Sequence, residues 1–276
     1  MTTWLITGCS TGLGRHLAEA VLQRGNNAVV TARDAATVQN LVDAHPDSAL
    51  ALSLDVTDQT QVRNTVRQAE ERFEHVDVLV NNAGYGYRAA VEEGEEPEVA
   101  TLFATNFFGP VAMIKAVLPG MRARRDGTIV NISSIGARIS PPGSGYYSAS
   151  KAALEAMSAS LRKEVGPLGI TVTVVEPGGL RTDFAGRSLQ QSHDAIADYA
   201  DTAGRRRKEH DTIHGTQPGD PTRAARAIIT AVEAADSPFL LLLGKDAVKG
   251  FQAVIDAERK ELEAWEELSL NTDFPA

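Results

Sequence analysis

Trp4-Leu5-Ile6-Thr7-Gly8-Cys9-Ser10-Thr11-Gly12-Leu13-Gly14-Arg15-His16-Leu17 is the stretch that decides the fold. Its first four residues form an apolar run of strand length. From Leu13 apolar residues recur at helical spacing, through Leu17, Ala20 and Val21, until Gly25 stops the pattern. Gly8, Gly12 and Gly14 lie between. A strand that passes through such a turn into a helix leaves N–H groups unpaired at the helix start, with a partial positive charge beside them. Glycine lets the chain turn tightly and approach a bound group closely. Gly8, Ser10, Thr11, Gly12, Leu13 and Gly14 therefore read as a cradle for the pyrophosphate of a dinucleotide. The spacing is G-x-x-x-G-x-G, which a plain turn would also satisfy. Its place between strand and helix favours the dinucleotide.

The same rhythm continues along the chain. Strands are expected at 28–32, 50–54, 76–80, 128–132, 170–175 and 239–243. Helices are expected at 37–44, from Asp58 onward, and at 99–117, 144–165, 222–235 and 248–268. The strands are continuous apolar runs, as burial on both faces of a parallel sheet requires. Alternation of strand and helix predicts an α/β fold, a doubly wound seven-stranded parallel sheet flanked by helices. Residues 1–276 read as one dinucleotide-binding and catalytic domain with a substrate-loop insertion at 182–221. That insertion is polar and weakly periodic, as lids and binding loops often are. Its basic run Arg205-Arg206-Arg207-Lys208 reads as a solvated helix face, or alternatively as a greeting for an anionic substrate.

Of the 276 residues 43% are hydrophobic, enough for a substantial core. The net charge of −9 argues against a nucleic-acid partner and against an anionic membrane surface. Cys9 is the one cysteine, so no intrachain disulfide forms, and a reducing, cytoplasmic setting is expected. The start lacks the basic and apolar segments of a signal peptide, and no apolar run approaches bilayer length. His210 and His214 are four apart without a third ligand, so no metal is expected.

Ligands of open α/β sheets bind at the carboxyl ends of strands. After the second strand, Arg33 can grip a 2′-phosphate through its forked donors, which favours NADP; Asp34 could instead serve the 2′-hydroxyl of NAD. Asp55 and Val56 end the third strand within reach of an adenine. Asn81-Asn82-Ala83-Gly84 ends the fourth, where asparagines either fix the loop or touch the adenosine. Tyr85 and Tyr87 follow, placed to line a substrate pocket, whereas Phe107, Phe108 and Tyr146 suit core or subunit contacts.

Gly145-Tyr146-Tyr147-Ser148-Ala149-Ser150-Lys151 carries the chemistry. Tyr147 and Lys151 stand four apart on one helix face. An ammonium beside a phenol lowers the phenol's pKa and gives a proton donor and acceptor that works near neutral pH.

With these pieces together the chain resembles the short-chain dehydrogenase/reductase family, of the compact single-domain type. The resemblance rests on T-G-x-x-x-G-x-G at Thr7 to Gly14, Asn81-Asn82-Ala83-Gly84, Asn106, Ser134, Tyr147-x-x-x-Lys151 and Pro177-Gly178, in family order. It implies that Tyr147 is the general acid or base and that Lys151 holds the nicotinamide ribose. It further implies that Ser134, rather than its rival Ser133, holds the substrate oxygen, and that Asn106 holds a water leading to Lys151. Pro177, Gly178 and Thr182 would meet the nicotinamide end. The implied protein is an NADP-dependent oxidoreductase (NAD possible) acting on a small carbonyl or secondary alcohol. A homodimer or homotetramer on the helices of 102–117 and 144–165 is implied too. Two alternatives stay open: a non-catalytic NADP-binding sensor or scaffold, and an isomerase or dehydratase with bound nicotinamide.

Overall fold

Burial on both faces makes the apolar runs into strands, and the amphipathic stretches between them into the layers that cover those faces. The structure, a computed structural model, describes residues 1–186, 188–213 and 215–274. In chain order its elements are β1 (Thr3–Ile6), α1 (Gly12–Gln23), β2 (Asn27–Ala32), α2 (Gln39–Ala44), β3 (Ala49–Ser53), α3 (Gln59–Phe73), β4 (Val78–Asn81) and β5 (Gly86–Arg88). Next come α4 (Glu96–Phe103), α5 (Gly109–Arg124), β6 (Gly127–Ile132), α6 (Gly136–Ile139), α7 (Gly145–Val165) and β7 (Ile170–Pro177). The chain ends with β8 (Leu189–Gln191), α8 (Ala203–Ile213), α9 (Pro221–Glu233), β9 (Leu240–Leu243) and α10 (Lys245–Leu270). The seven-stranded sheet runs β3-β2-β1-β4-β6-β7-β9, parallel throughout. Strand order reverses between β1 and β4, and a crevice opens there at the carboxyl ends of the strands.

Successive strand residues point to opposite faces. Trp4, Ile6, Val30, Val80 and Val130 face one core with Leu17 and Val21 of α1 and Ile228 of α9. Leu5, Val29, Leu79 and Ile129 face the other, with Val66 of α3, Met113 and Val117 of α5 and Leu161 of α7. Each fully buried aliphatic side chain contributes about 1.5–3 kcal/mol relative to an exposed one. The expected N-cap Asp58 accepts from Thr60 N at 2.7 Å and Gln61 N at 3.1 Å.

Four details differ from the sequence expectation. β4 starts at Val78; Asp77 before it still donates to Thr3 O at 3.0 Å and accepts from Thr128 N at 2.8 Å, and its carboxylate accepts from Thr3 N at 2.8 Å. The expected helix 99–117 is longer and is interrupted by a π-turn at Ala104–Phe108, which places the fully buried Asn106 at the interruption. By length and composition the run Glu96–Arg124 is apolar enough to cross a membrane, with mean hydropathy 1.4 over its best window, where no apolar run of bilayer length was expected. Its Leu102, Met113, Ile114, Val117 and Met121 are buried against the sheet and neighbouring helices. The polar excursion after Thr182 holds β8, paired in parallel with β5, and α8.

Candidate active site

The first β-to-α turn is built for close approach. Gly8 and Gly12 adopt φ +73° and +62°, open to glycine without strain. A Cβ on Gly14 would lie 2.3 Å from Asn82 Nδ2 and 2.5 Å from the Gly8 oxygen. Asn82 explains the crowding: its Nδ2 donates to Thr7 O at 2.8 Å and Gly8 O at 3.0 Å. Thr7 Oγ1 in turn accepts from Asn82 N and Ala83 N at 2.9 Å. Asn82 thus fixes the loop, the first of its two expected roles. Thr11 precedes α1 without making a side-chain cap, so the opening N–H groups of the helix stay available. They face a cavity of about 780 Å³ that runs from Arg33 to Tyr147. The glycine cradle, the uncapped helix start and the length of the cavity fit a dinucleotide.

At the adenosine end Arg33 is exposed and lines the cavity. Asp34 is used elsewhere, accepting from Ala36 N at 3.0 Å to cap a 3-10 turn. Asp55 and Val56 line the cavity, and Asp55 Oδ1 accepts from Thr57 N and Oγ1 at 2.9 and 2.7 Å. At the far end Thr182 lies opposite Gly12, whose Cβ would sit 3.6 Å from the threonine Cβ. Pro177 and Gly178 border the same cavity. Asp246 holds that loop by accepting from Gly179 N at 2.6 Å, and a Cβ on Gly178 would strike its carboxylate at 2.3 Å.

Tyr147 and Lys151 stand one turn apart on α7, with Ser134 just past β6. All three border the cavity. Tyr147 and Ser134 flank Gly136, where a Cβ would lie 3.5 Å from Tyr147 Cε1 and 3.2 Å from Ser134 Oγ, and Ser134 Oγ accepts from Gly136 N at 3.0 Å. Ser133 is committed elsewhere, donating to Glu155 Oε1 at 2.5 Å. Tyr147 is half-buried with its accessible part in the cavity. Burial pushes its phenol up to about 12, against the opposing influence of the nearby Ser134 hydroxyl and the charge of Arg88. Burial likewise lowers Lys151 to about 8, offset in part by Glu155. Arg88 thus places a positive charge near the phenol, and Lys151 Nζ donates to Ile132 O at 2.9 Å. The Asn106 side chain ties the segment after β4 to α7. Its Nδ2 donates to Tyr85 O at 2.9 Å and Ser150 Oγ at 3.2 Å, and its Oδ1 accepts from Tyr85 N at 3.1 Å. Asn106 and Lys151 meet at Gly84, where a Cβ would lie 3.0 Å from Asn106 Oδ1 and 3.3 Å from Lys151 Nζ.

The family model for short chain dehydrogenases matches residues 2–193. Oxidoreductase BOA17 of Botryotinia fuckeliana is 37% identical, over 97% of each chain. A 3-ketodihydrosphingosine reductase of Bacteroides thetaiotaomicron is 38% identical, over 87% of each. A short-chain dehydrogenase structure from Streptomyces avermitilis superposes with a TM-score of 0.92 at 43% identity, covering 99% of this chain and 100% of that one. The chain belongs to the short-chain dehydrogenase/reductase family.

As in any short-chain dehydrogenase/reductase, the site needs walls as well as catalytic groups, and here they come from the excursion after Thr182. Phe184 lies against Tyr147 with ring centroids 5.9 Å apart. The excursion is tied to the segment before α4 by acidic residues. Arg207 Nη2 pairs with the buried Glu93 at 2.6 Å, Ile196 N donates to Glu93 Oε1 at 2.8 Å, and Tyr199 Oη donates to Glu92 at 2.7 Å. Tyr85 and Tyr87 line the cavity as expected, while Phe108 is exposed. Arg88, Arg206, Phe184 and Asp246 also line it and were not singled out one by one from sequence. Arg88 had a weak signal, three residues past Tyr85 in a segment expected to face the pocket. Among the described residues no group of three or more histidine, cysteine, aspartate or glutamate side chains suits a metal. His214 lies outside the described residues, as does the side chain of His210.

Proposed function

We propose that this oxidoreductase uses NADP(H) to interconvert a carbonyl and an alcohol, with reduction as the working direction. The observation that carries the reading is Tyr147 beside Ser134 and Lys151 in the cavity that also holds the glycine turn. A phenol that keeps its proton up to about 12 is a proton donor throughout the neutral range, which suits reduction. The word reductase in the name of the Bacteroides relative supports the same direction.

The residues divide the work along the cavity. N–H groups at the start of α1, over Gly12 to Gly14, hold the diphosphate. Arg33 takes a 2′-phosphate, since it borders the cavity and Asp34 does not. Asp55 and Val56 face the adenine. Pro177, Gly178 and Thr182 position the nicotinamide, and Lys151 holds its ribose. Ser134 orients the substrate oxygen. Tyr147 donates its proton to that oxygen as negative charge grows there. The bound nicotinamide supplies the hydride.

The test is loss of reduced-nicotinamide absorbance with a panel of ketones and aldehydes, for wild type and Tyr147→Phe. The variant is expected to turn over about 10²–10⁴-fold more slowly while binding NADPH normally. Near-normal turnover in the variant would overturn the assignment.

A further inference from the structure

Two arginines converge at the Tyr147 end of the cavity. Arg88 comes from β5 and Arg206 from α8, more than a hundred residues later, and both line the cavity. They are close enough for the charge of Arg206 to weigh on Arg88, and Arg88 in turn acts on the Tyr147 phenol. Like charges brought together in a half-buried place cost stability unless something answers them. Glu209 answers Arg206, at 2.6 Å. Among the described residues Arg88 makes no ion pair, and its side chain makes one long hydrogen bond, from Nη1 to Ser144 Oγ at 3.5 Å. The Nε atoms of both arginines are buried with no hydrogen-bond partner. Arg207, next along the helix, leaves its Nε unpartnered too, but its Nη2 is held by Glu93, Ser192 and the Asp194 carbonyl.

A half-buried guanidinium that makes no ion pair among the described residues, in the cavity beside Tyr147, marks a place for a ligand anion. The cofactor phosphates are accounted for at the α1 start and Arg33, along β1 and β2. We propose that Arg88, with Arg206 beside it, anchors a carboxylate on the substrate, so that the compound reduced is an oxo acid. A carboxylate offers two oxygens in one plane, which match the guanidinium fork. The substrate carboxylate is then held on the β5 side, and its carbonyl oxygen reaches Ser134 and Tyr147. This rests on the oxidoreductase reading above. The carbonyl carbon gains the hydride of the reduced nicotinamide, the carbonyl oxygen gains the Tyr147 proton, and the carboxylate is unchanged.

The experiment pairs oxo acids with their methyl esters as substrates, and adds saturated acids that cannot be reduced. Wild type is expected to prefer each acid over its ester by about tenfold or more in kcat/KM. In Arg88→Gln that ratio should fall by about tenfold, chiefly through the KM of the acid, with partial recovery in Arg88→Lys. The ratio is internal to each preparation, so a poorly folded fraction does not move it. Saturated acids should protect the NADP⁺ complexes of wild type and Tyr147→Phe against thermal unfolding, and Arg88→Gln much less. Esters or neutral ketones reduced as well as the acids, with dependence on Tyr147, would overturn the anion site and leave the oxidoreductase standing. Arg88-dependent acid binding with no reduction of any compound would keep the anion site and remove the oxidoreductase. Should Arg88→Gln fail to fold, the wild-type acid-to-ester ratio and Arg88→Lys decide.

Discussion

Lys151 Nζ donates to the main-chain oxygen of Ile132 at 2.9 Å, at the carboxyl edge of β6. That bond holds the ammonium at the floor of the cavity, where burial brings its pKa down to about 8. A depressed lysine has a simple sign. The folded protein binds fewer protons than the unfolded chain between about pH 8 and the usual lysine value, so its stability rises with pH across that window. Activity goes the other way if the charge holds the ribose. The kcat/KM for NADPH, which reports the cofactor-free enzyme, should be level below about pH 8 and decline above it. Tyr147, at about 12, contributes nothing to that limb. A profile that stays level to pH 10 would separate Lys151 from cofactor binding.

Arg33 and Asp34 are adjacent and chemically opposed, and the structure gives them different work. With the Asp34 carboxylate turned to Ala36 N, the guanidinium of Arg33 is the group that borders the cavity. Arg33→Ala should raise the KM for NADPH by about tenfold, as expected for losing one charge-assisted contact at an exposed site. The KM for NADH should change little. Parallel titrations of the two cofactors check this, and equal losses for both would assign Arg33 a general electrostatic role.

Much of this architecture was legible because its determinants are local. Trp4 to Ile6, Val78 to Val80 and Ile170 to Val175 are apolar runs that have no stable place except inside a parallel sheet. The glycine turn announces itself through residue type. Helical spacing puts Tyr147 and Lys151 on one face, while their roles rest on the family resemblance. What escaped depends on contacts far apart in the chain. β5 and β8 are three residues each and form because Gly86 to Arg88 meets Leu189 to Gln191. The order of the excursion comes from Glu92 and Glu93, about a hundred residues earlier. The π-turn at Asn106 shifts the helical phase without a residue-type signal. Arg88 looked like any loop arginine until the fold set it beside Tyr147 and Arg206.

Gly14 is held to glycine by packing rather than by backbone angle, since its φ is not positive. An added methyl would sit 2.3 Å from Asn82 Nδ2, the atom that ties the turn to β4. Gly14→Ala must push Asn82 aside or widen the turn. The expected cost is about 1–3 kcal/mol of stability. The same shift spoils the cradle. Thermal unfolding with and without NADP⁺ should show a lower melting temperature and a lost cofactor-induced rise. A variant that keeps the full rise would mean the turn does not hold the phosphates.

Glu155 lies one turn beyond Lys151 and accepts from Ser133 at 2.5 Å, while Arg138 bridges it at 3.0 Å to the fully buried Glu176, also at 3.0 Å. Two carboxylates thus share one guanidinium. Burial and the neighbouring Glu176 push Glu155 up to about 7. The folded state then holds a proton that the unfolded chain releases near the usual carboxylate value. Stability from this group is full below that value and is lost as pH rises through about 7. Glu155→Gln keeps an acceptor for Ser133 and removes the titration. Its melting temperature should vary less than that of wild type between pH 5 and pH 8, with the two curves drawing together at the acid end and wild type falling below the variant at the alkaline end. Chemical denaturation at several pH values measures the slopes directly. Identical slopes for the two proteins would show that the carboxylate is ionised in the folded state across the whole range.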